Sequence, residues 1–232
     1  MTKPTIPETV SRSEWERARN ELLEREKEHT RAGDALSAAR RRLPMTHMPS
    51  VNVEGAGGSV PLHDVFEGRR MLIIYHFMWK VGAPHHKQCG GCTHTQVAMN
   101  SAVLAYLAER GVSYAVFSSG PLEEISAYRD FMGWSPQWYS TAASGELMAT
   151  RDGGDLRCYL RDGDKVFQTY ETKWRGVEAM LPTLQLLDLT AYGRQETWED
   201  SPVGWPQDKP GSWWNRNGRP VAQWTRTKAP AE

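Results

Sequence analysis

Apolar positions change their spacing several times along the chain, and each change marks an element. From Ser11 to Leu43 the spacing is helical. Trp15, Ala18 and Leu22 form one stripe, Ala32, Ala35, Leu36 and Ala39 a second beyond Gly33, and the remaining positions carry mixed charge at helical spacings. Ser11-x-x-Glu14 is a capping box that opens this helix, and Pro44 closes it. Val51-Asn-Val53 reads as a short strand, Gly55 to Gly58 as a turn, and Ser59 to Gly68 as a second short strand followed by a helical turn. Met71 to Met78 is the strongest strand, and its nearly continuous apolar character suits a central position covered on both faces. Thr93 to Arg110 reads as one helix with Val97, Leu104 and Leu107 turned inward and Gly111 as its stop. Val112 to Phe117 is the next strand, and Pro121 to Met132 the next helix. Leu156 to Leu160 and Lys165 to Tyr170, joined through Asp162-Gly163, form a hairpin, and Trp174 to Leu187 a closing helix restarted at Pro182.

That order predicts an α/β fold with a small mixed sheet of at least four strands and helices on both faces. It divides the chain into a helical arm over 1–44, a central domain over 45–192 and an irregular strap over 193–232. The arm's apolar stripe is thin, so the arm is expected to lie on its own domain or against a second copy in a homodimer. The strap holds Trp198, Trp205, Trp213, Trp214 and Trp224 among prolines and glycines. Leaving all of them in water would be costly, which predicts packing on the domain or across a dimer. A surface for stacking single-stranded nucleic acid is the rival reading. Charge decides against it: lysine plus arginine and aspartate plus glutamate number 28 each, so no basic field recruits nucleic acid or an anionic membrane. No apolar run approaches the ~20 residues of a spanning helix, and the first residues lack the apolar core of a secretory signal, so the expected compartment is the cytoplasm.

The chain has three cysteines. Cys158 lies in an alternating strand and reads as a small buried hydrophobe. Cys89-Gly-Gly-Cys92 lies between the central strand and a helix. There the helix N-terminus stabilises a thiolate on Cys89, and Cys92, three residues on, can resolve a mixed disulfide. The substrates this chemistry implies are a small thiol, disulfide or peroxide, with a separate reductant and no cofactor. A second chemistry fits the same neighbourhood. His85, His86 and His94 flank the cysteines and His76 sits on the strand leading in, so Cys89 and Cys92 with one or more of these imidazoles would suit zinc or copper. Arg175, after the hairpin, is a candidate anion or peroxide ligand. His94 comes one residue too late for a c-type haem site.

Taken together, Ser11-Arg-Ser-Glu-Trp15, Tyr75-His-Phe-Met-Trp79, Ala83-Pro-His85, Cys89-x-x-Cys92, Phe131-Met-Gly-Trp134, Arg161-Asp-Gly163, Thr169-Tyr170, Arg175-Gly176 and Leu187-Asp-Leu-Thr190 resemble the bacterial "domain of unknown function 899" family over nearly the whole chain. The resemblance implies a thioredoxin-like fold and a dithiol–disulfide oxidoreductase label. Leu62-x-Asp64-x-Phe66-x-Gly68 is similar to the segment before the central strand of peroxiredoxins. Two departures stand out. Thioredoxins place a cis-proline before the hairpin strand, where it keeps the cysteines from capturing metal, and Ser144 to Leu156 contains no proline. The threonine that peroxiredoxins place before their cysteine is also missing, and the loop from Trp79 to Cys89 is longer than a thioredoxin needs. The missing proline favours the metal reading more than the motif alone would.

Overall fold

The computed structural model describes residues 5–149 and 154–227. Ser11 caps α1 (Arg12–Arg40) with both halves of the expected capping box: its hydroxyl accepts from Glu14 N, and the Glu14 side chain accepts from Ser11 N. No residue of α1 is buried. Three short strands follow: β1 (Thr46–His47), β2 (Asn52–Gly55) and β3 (Gly58–Pro61). Then come the central strand β4 (Met71–His76), helices α2 (Gly90–Gln96) and α3 (Ser101–Ala108), strand β5 (Val112–Ser118), helix α4 (Leu122–Met132) and strand β6 (Gln137–Ser140). The hairpin β7 (Asp155–Asp162) and β8 (Lys165–Lys173) leads into a 3-10 helix (Trp174–Met180) and α5 (Pro182–Asp188). Beyond it the strap contributes one small hairpin, β9 (Asn215–Arg216) with β10 (Arg219–Pro220), and a 3-10 helix (Val221–Thr225).

The main sheet runs β1-β8-β7-β4-β5-β6-β2-β3. β4 pairs parallel with β5 and antiparallel with β7, so the strand with the most continuous apolar pattern is central. A strand–helix–strand unit, a helix, an antiparallel hairpin and a closing helix, with the strands ordered β5-β4-β7-β8, is the thioredoxin-like arrangement. Alternation along β4 feeds two cores. Leu72 and Ile74 point to one, closed by the 3-10 helices Asp64–Phe66 and Glu146–Met148 through Val65, Phe66 and Met148. Tyr75 points to the other with Phe77, the residue after the strand, and α2, α4 and the Trp174–Met180 helix close it through Cys92, Ile125, Tyr128, Val177 and Met180.

Several expectations need correction. The helix predicted over 93–110 is two helices, because Asn100 Oδ1 accepts from Ala102 N and Val103 N and starts α3 afresh. Val97 falls at the break and is half exposed instead of inward. The closing helix is a 3-10 turn before Pro182 and α-helical only after it. Cys158 is half-buried, not buried. β1 and β6 were not anticipated. No helix among the described residues is long and apolar enough to cross a membrane.

Candidate active site: the Cys89–Cys92 motif and its cavity

Cys89 is the N-cap of α2, with extended backbone, and its sulfur accepts the Cys92 N–H at 3.3 Å. Cys92 is buried in the first turn beneath it, and the two sulfurs are near but not bonded. Their environments push them apart. A hydrogen bond from the Cys92 thiol and the amides of Cys92 and Gly91 outweigh burial and bring Cys89 down to about 6, with Lys80 adding a favourable charge. Burial, the hydrogen bond given to Cys89 and the negative charge on Cys89 push Cys92 well above the ordinary thiol range. The Tyr75 hydroxyl, on the central strand, hydrogen-bonds the buried sulfur, and burial pushes that phenol up as well. At neutral pH the pair is therefore one thiolate and one thiol, with the thiolate on the more exposed sulfur.

Gly154, immediately before β7, faces the motif with φ +68°. A Cβ there would lie 2.7 Å from Tyr75 Oη and 3.2 Å from Cys92 Sγ. The position before the hairpin strand thus holds the residue that lets backbone press against the inner cysteine. Sequence reasoning looked there for a proline and passed over the glycine.

The long loop between Trp79 and Cys89 is fixed by one residue of its own and one of α4. Gln88 accepts from Lys80 N and donates to Lys80 O and Ala83 O, and Glu124 accepts from Trp79 Nε1 and Gly82 N. That loop delivers the histidines to different places. The His85 ring packs 4.9 Å from Phe131 and 5.1 Å from Tyr128, and burial lowers its basicity. His86 lines an open, polar cleft with Cys89, Lys80 and Lys87. His94 packs edge-on to Trp213 and Trp214, and burial lowers it too. His76 is fully buried against Phe117. Among the described residues, no three His, Cys, Asp or Glu side chains gather closely enough to hold one metal ion. The Cys/His donor set expected for zinc or copper is therefore not assembled.

On its other side Cys89 opens, with Cys92, into a cavity of ≈ 610 Å³. Its apolar floor comes from the domain: Tyr75, Met78, Val177, Leu181 and Leu184. Its aromatic walls are Trp174, Trp198 and Trp214, the last two supplied by the strap. Trp174 holds a left-handed backbone (φ 56°) and is 60% exposed. For a tryptophan that conformation costs about 1–3 kcal/mol, a cost typical of residues held in place at binding sites.

Buried polar residues hold the strap down. Glu196 accepts from Trp198 Nε1 (2.6 Å), Gly211 N (2.8 Å) and Trp213 Nε1 (3.0 Å). Arg194 makes a bidentate pair with Asp188 and a third bond to Glu178, which also takes Arg175. Arg175, the candidate anion ligand, lines the cavity with its guanidinium engaged by Glu178 and laid over Trp198. Gln223, fully buried, donates to Tyr128 Oη and His85 O. Thr93 gives its one hydroxyl hydrogen to Cys89 O, so Tyr128 must donate to Thr93. A relay of hydrogen bonds thus runs from the strap to the backbone of Cys89. None of Glu196, Arg194 or Gln223 was anticipated as part of the site.

Comparison with known proteins adds the family and little else. No curated protein matches. Among solved structures, a cysteine-to-serine mutant of peroxiredoxin Q from Xanthomonas campestris aligns at 16% identity and TM-score 0.39, over 58% of this chain and 90% of that one. A putative thiol:disulfide interchange protein DsbE from Chlorobium tepidum aligns at 12% identity and TM-score 0.43, over 61% and 95%. An uncharacterized conserved protein from Geobacillus kaustophilus aligns at 15% and 0.41, over 69% and 76%. At these scores nothing about activity carries across. Residues 4–219 match one family along their length, and the chain belongs to it: the family described as "Bacterial protein of unknown function (DUF899)".

Proposed function

We propose that the protein is a dithiol–disulfide oxidoreductase in which Cys89 is the nucleophile and Cys92 the resolving thiol. The observation that carries this reading is the split between the two sulfurs: Cys89 ionises at about 6 at a helix N-terminus, and Cys92 is buried and held as a thiol. A thiolate with a pKa near ambient pH combines a high ionised fraction with useful nucleophilicity.

The steps follow from the environments. Cys89 Sγ⁻ attacks one sulfur of a disulfide RS–SR, forming a Cys89–S–S–R bond and releasing RS⁻. The negative charge on Cys89 is then gone, and with it one of the causes that kept Cys92 protonated. Cys92 loses its proton and attacks Cys89 Sγ, forming the Cys89–Cys92 bond and releasing the second RS⁻. Two electrons pass from the enzyme dithiol to the substrate. The proton from Cys92 and one from solvent convert both leaving groups to RSH. An external thiol reverses these steps and restores the dithiol. Replacing Cys92 with Ser removes the second step only. The variant should accumulate a Cys89 mixed disulfide detectable by intact mass, which Cys89→Ser should not form. A Cys92→Ser protein that never captures substrate would overturn the proposal.

A further inference from the structure

The strap does more than line the cavity: it lies on the motif itself. A Cβ on Gly91 would sit 2.5 Å from Cζ3 of Trp214, and one on Gly90 would sit 2.8 Å from the Asn215 side-chain amide. Gly90 and Gly91 are therefore the two positions where backbone is thin enough for the strap to lie across the face between the cysteines. A disulfide carried on a polypeptide must bring its own main chain over a reactive cysteine, and here that approach is occupied by residues of the same chain. The cavity reaches both sulfurs, and the cleft beside His86, which Asn215 also lines, reaches Cys89 alone.

The cavity also states what it accepts. Its floor and walls are apolar and aromatic, and its volume is in the range that encloses a small organic molecule. Four charged side chains line it, two arginines and two glutamates. Three of them are tied up within the protein, Arg194 by Asp188 and Glu178, Glu178 by both arginines and Glu196 by three N–H donors, whereas Arg175 gives only Nε to Glu178 and its side chain is 67% exposed. A substrate ammonium would enter without a partner, which is costly, whereas a carboxylate would meet Arg175.

Resting on the redox reading above, we infer that the strap makes this site selective for small, apolar or aromatic disulfides. Trp214 and Asn215 are the residues that shut out disulfides borne on polypeptides. Trp214 forms part of the pocket wall; Asn215 acts only by occupying the approach.

Three oxidants offered separately to the reduced full-length protein test this: dithiodipyridine (uncharged, aromatic), dithiobis(nitrobenzoate) (aromatic, doubly anionic) and insulin (a polypeptide). The readout is the rate of Cys89–Cys92 disulfide formation, each rate divided by that of the same oxidant with mercaptoethanol to remove intrinsic electrophilicity. Dithiodipyridine and dithiobis(nitrobenzoate) should each exceed insulin about tenfold or more. Trp214→Ala and, with less disturbance of the wall, Asn215→Ala should each raise the insulin rate. Asn215→Ala should leave the preference between the two small oxidants unchanged, and it keeps the test decisive if Trp214→Ala misfolds. Equal normalised rates for insulin and dithiodipyridine in the native protein would overturn the selectivity and leave the redox reading standing. So would an Asn215→Ala protein that gains nothing toward insulin. A Cys89 that reacts with none of the three would overturn both.

Discussion

The two arms outside the central domain have opposite characters. α1 is a 29-residue helix with no buried residue: Trp15, Leu22 and Leu36 are about half exposed, and its ion pairs are local, such as Arg12–Glu16 and Lys27–Glu24. The strap has almost no regular structure, yet it reaches Gly90 and Gly91, between the two cysteines, through Trp214 and Asn215 and buries Arg194, Glu196 and Gln223. Secondary structure and structural importance are thus separable. A helix satisfies its backbone by itself and needs nothing nearby to persist. An irregular segment must find its hydrogen bonds in the rest of the molecule, so it persists only where it is stitched down.

The sharpest way to break that comparison is to cut the same kind of group from each arm. Glu196→Ala leaves two indole N–H groups and the Gly211 amide without their acceptor. It should cost roughly 3 kcal/mol, given ~1–3 kcal/mol for each buried polar group stranded, and it should open the cavity. Glu16→Ala in α1 should change stability by less than about 0.5 kcal/mol. Urea midpoints of the two variants check this, and equal losses would show that the strap is not anchored as described. Gln223→Leu should cost about 1–2 kcal/mol by severing the relay to Cys89, again with no counterpart in α1.

How far each region could be read in advance follows the same division. α1 was legible because a capping box, a helical stripe and a proline are local signals, and β4 because an unbroken apolar run has one home in a mixed sheet. The cysteine motif was legible from its spacing and from its place between strand and helix. The break at Asn100 was written in the sequence as an Asn-Ser start and was masked by apolar residues on both sides. β6 is four residues, with Trp138 and Tyr139 turned to opposite cores, too short to show a period. The strap's anchors were not legible. Gln223 bonds to a tyrosine 95 positions earlier, and Glu196 gathers donors from a chain without periodicity. Gly90 and Gly91 lie under Trp214 and Asn215 of the strap, a contact that no local signal announces.

At the site, two further outcomes separate a thiolate centre from a metal centre. Protein purified without chelator should carry less than one equivalent of zinc or copper, and chelator should leave the Cys89 alkylation rate unchanged, because the histidines point to different neighbours. Protection of both cysteines that chelator removes would reverse that conclusion. The smallest effect is on stability against pH. Cys89 ionises more easily folded than unfolded, so its contribution is full above the unfolded thiol range and is lost as pH falls through about 6. Cys92 acts in the opposite sense and weakens the fold only as pH rises past the unfolded thiol value. Between about pH 6 and 8 the reduced protein should therefore gain stability, and the difference between it and Cys89→Ser should grow across that window.

The most direct measurement is the pH dependence of iodoacetamide alkylation, read at each cysteine by mass spectrometry on the reduced protein. Cys89 should react with a midpoint near pH 6, far ahead of Cys158, whose thiol burial pushes up, while Cys92 stays protected. In Cys92→Ala, which deletes the hydrogen bond that lowers Cys89 most, the Cys89 midpoint should move up toward the ordinary thiol value. A native midpoint already in the ordinary range of about 8.5, or Cys158 reacting as fast as Cys89, would contradict the account.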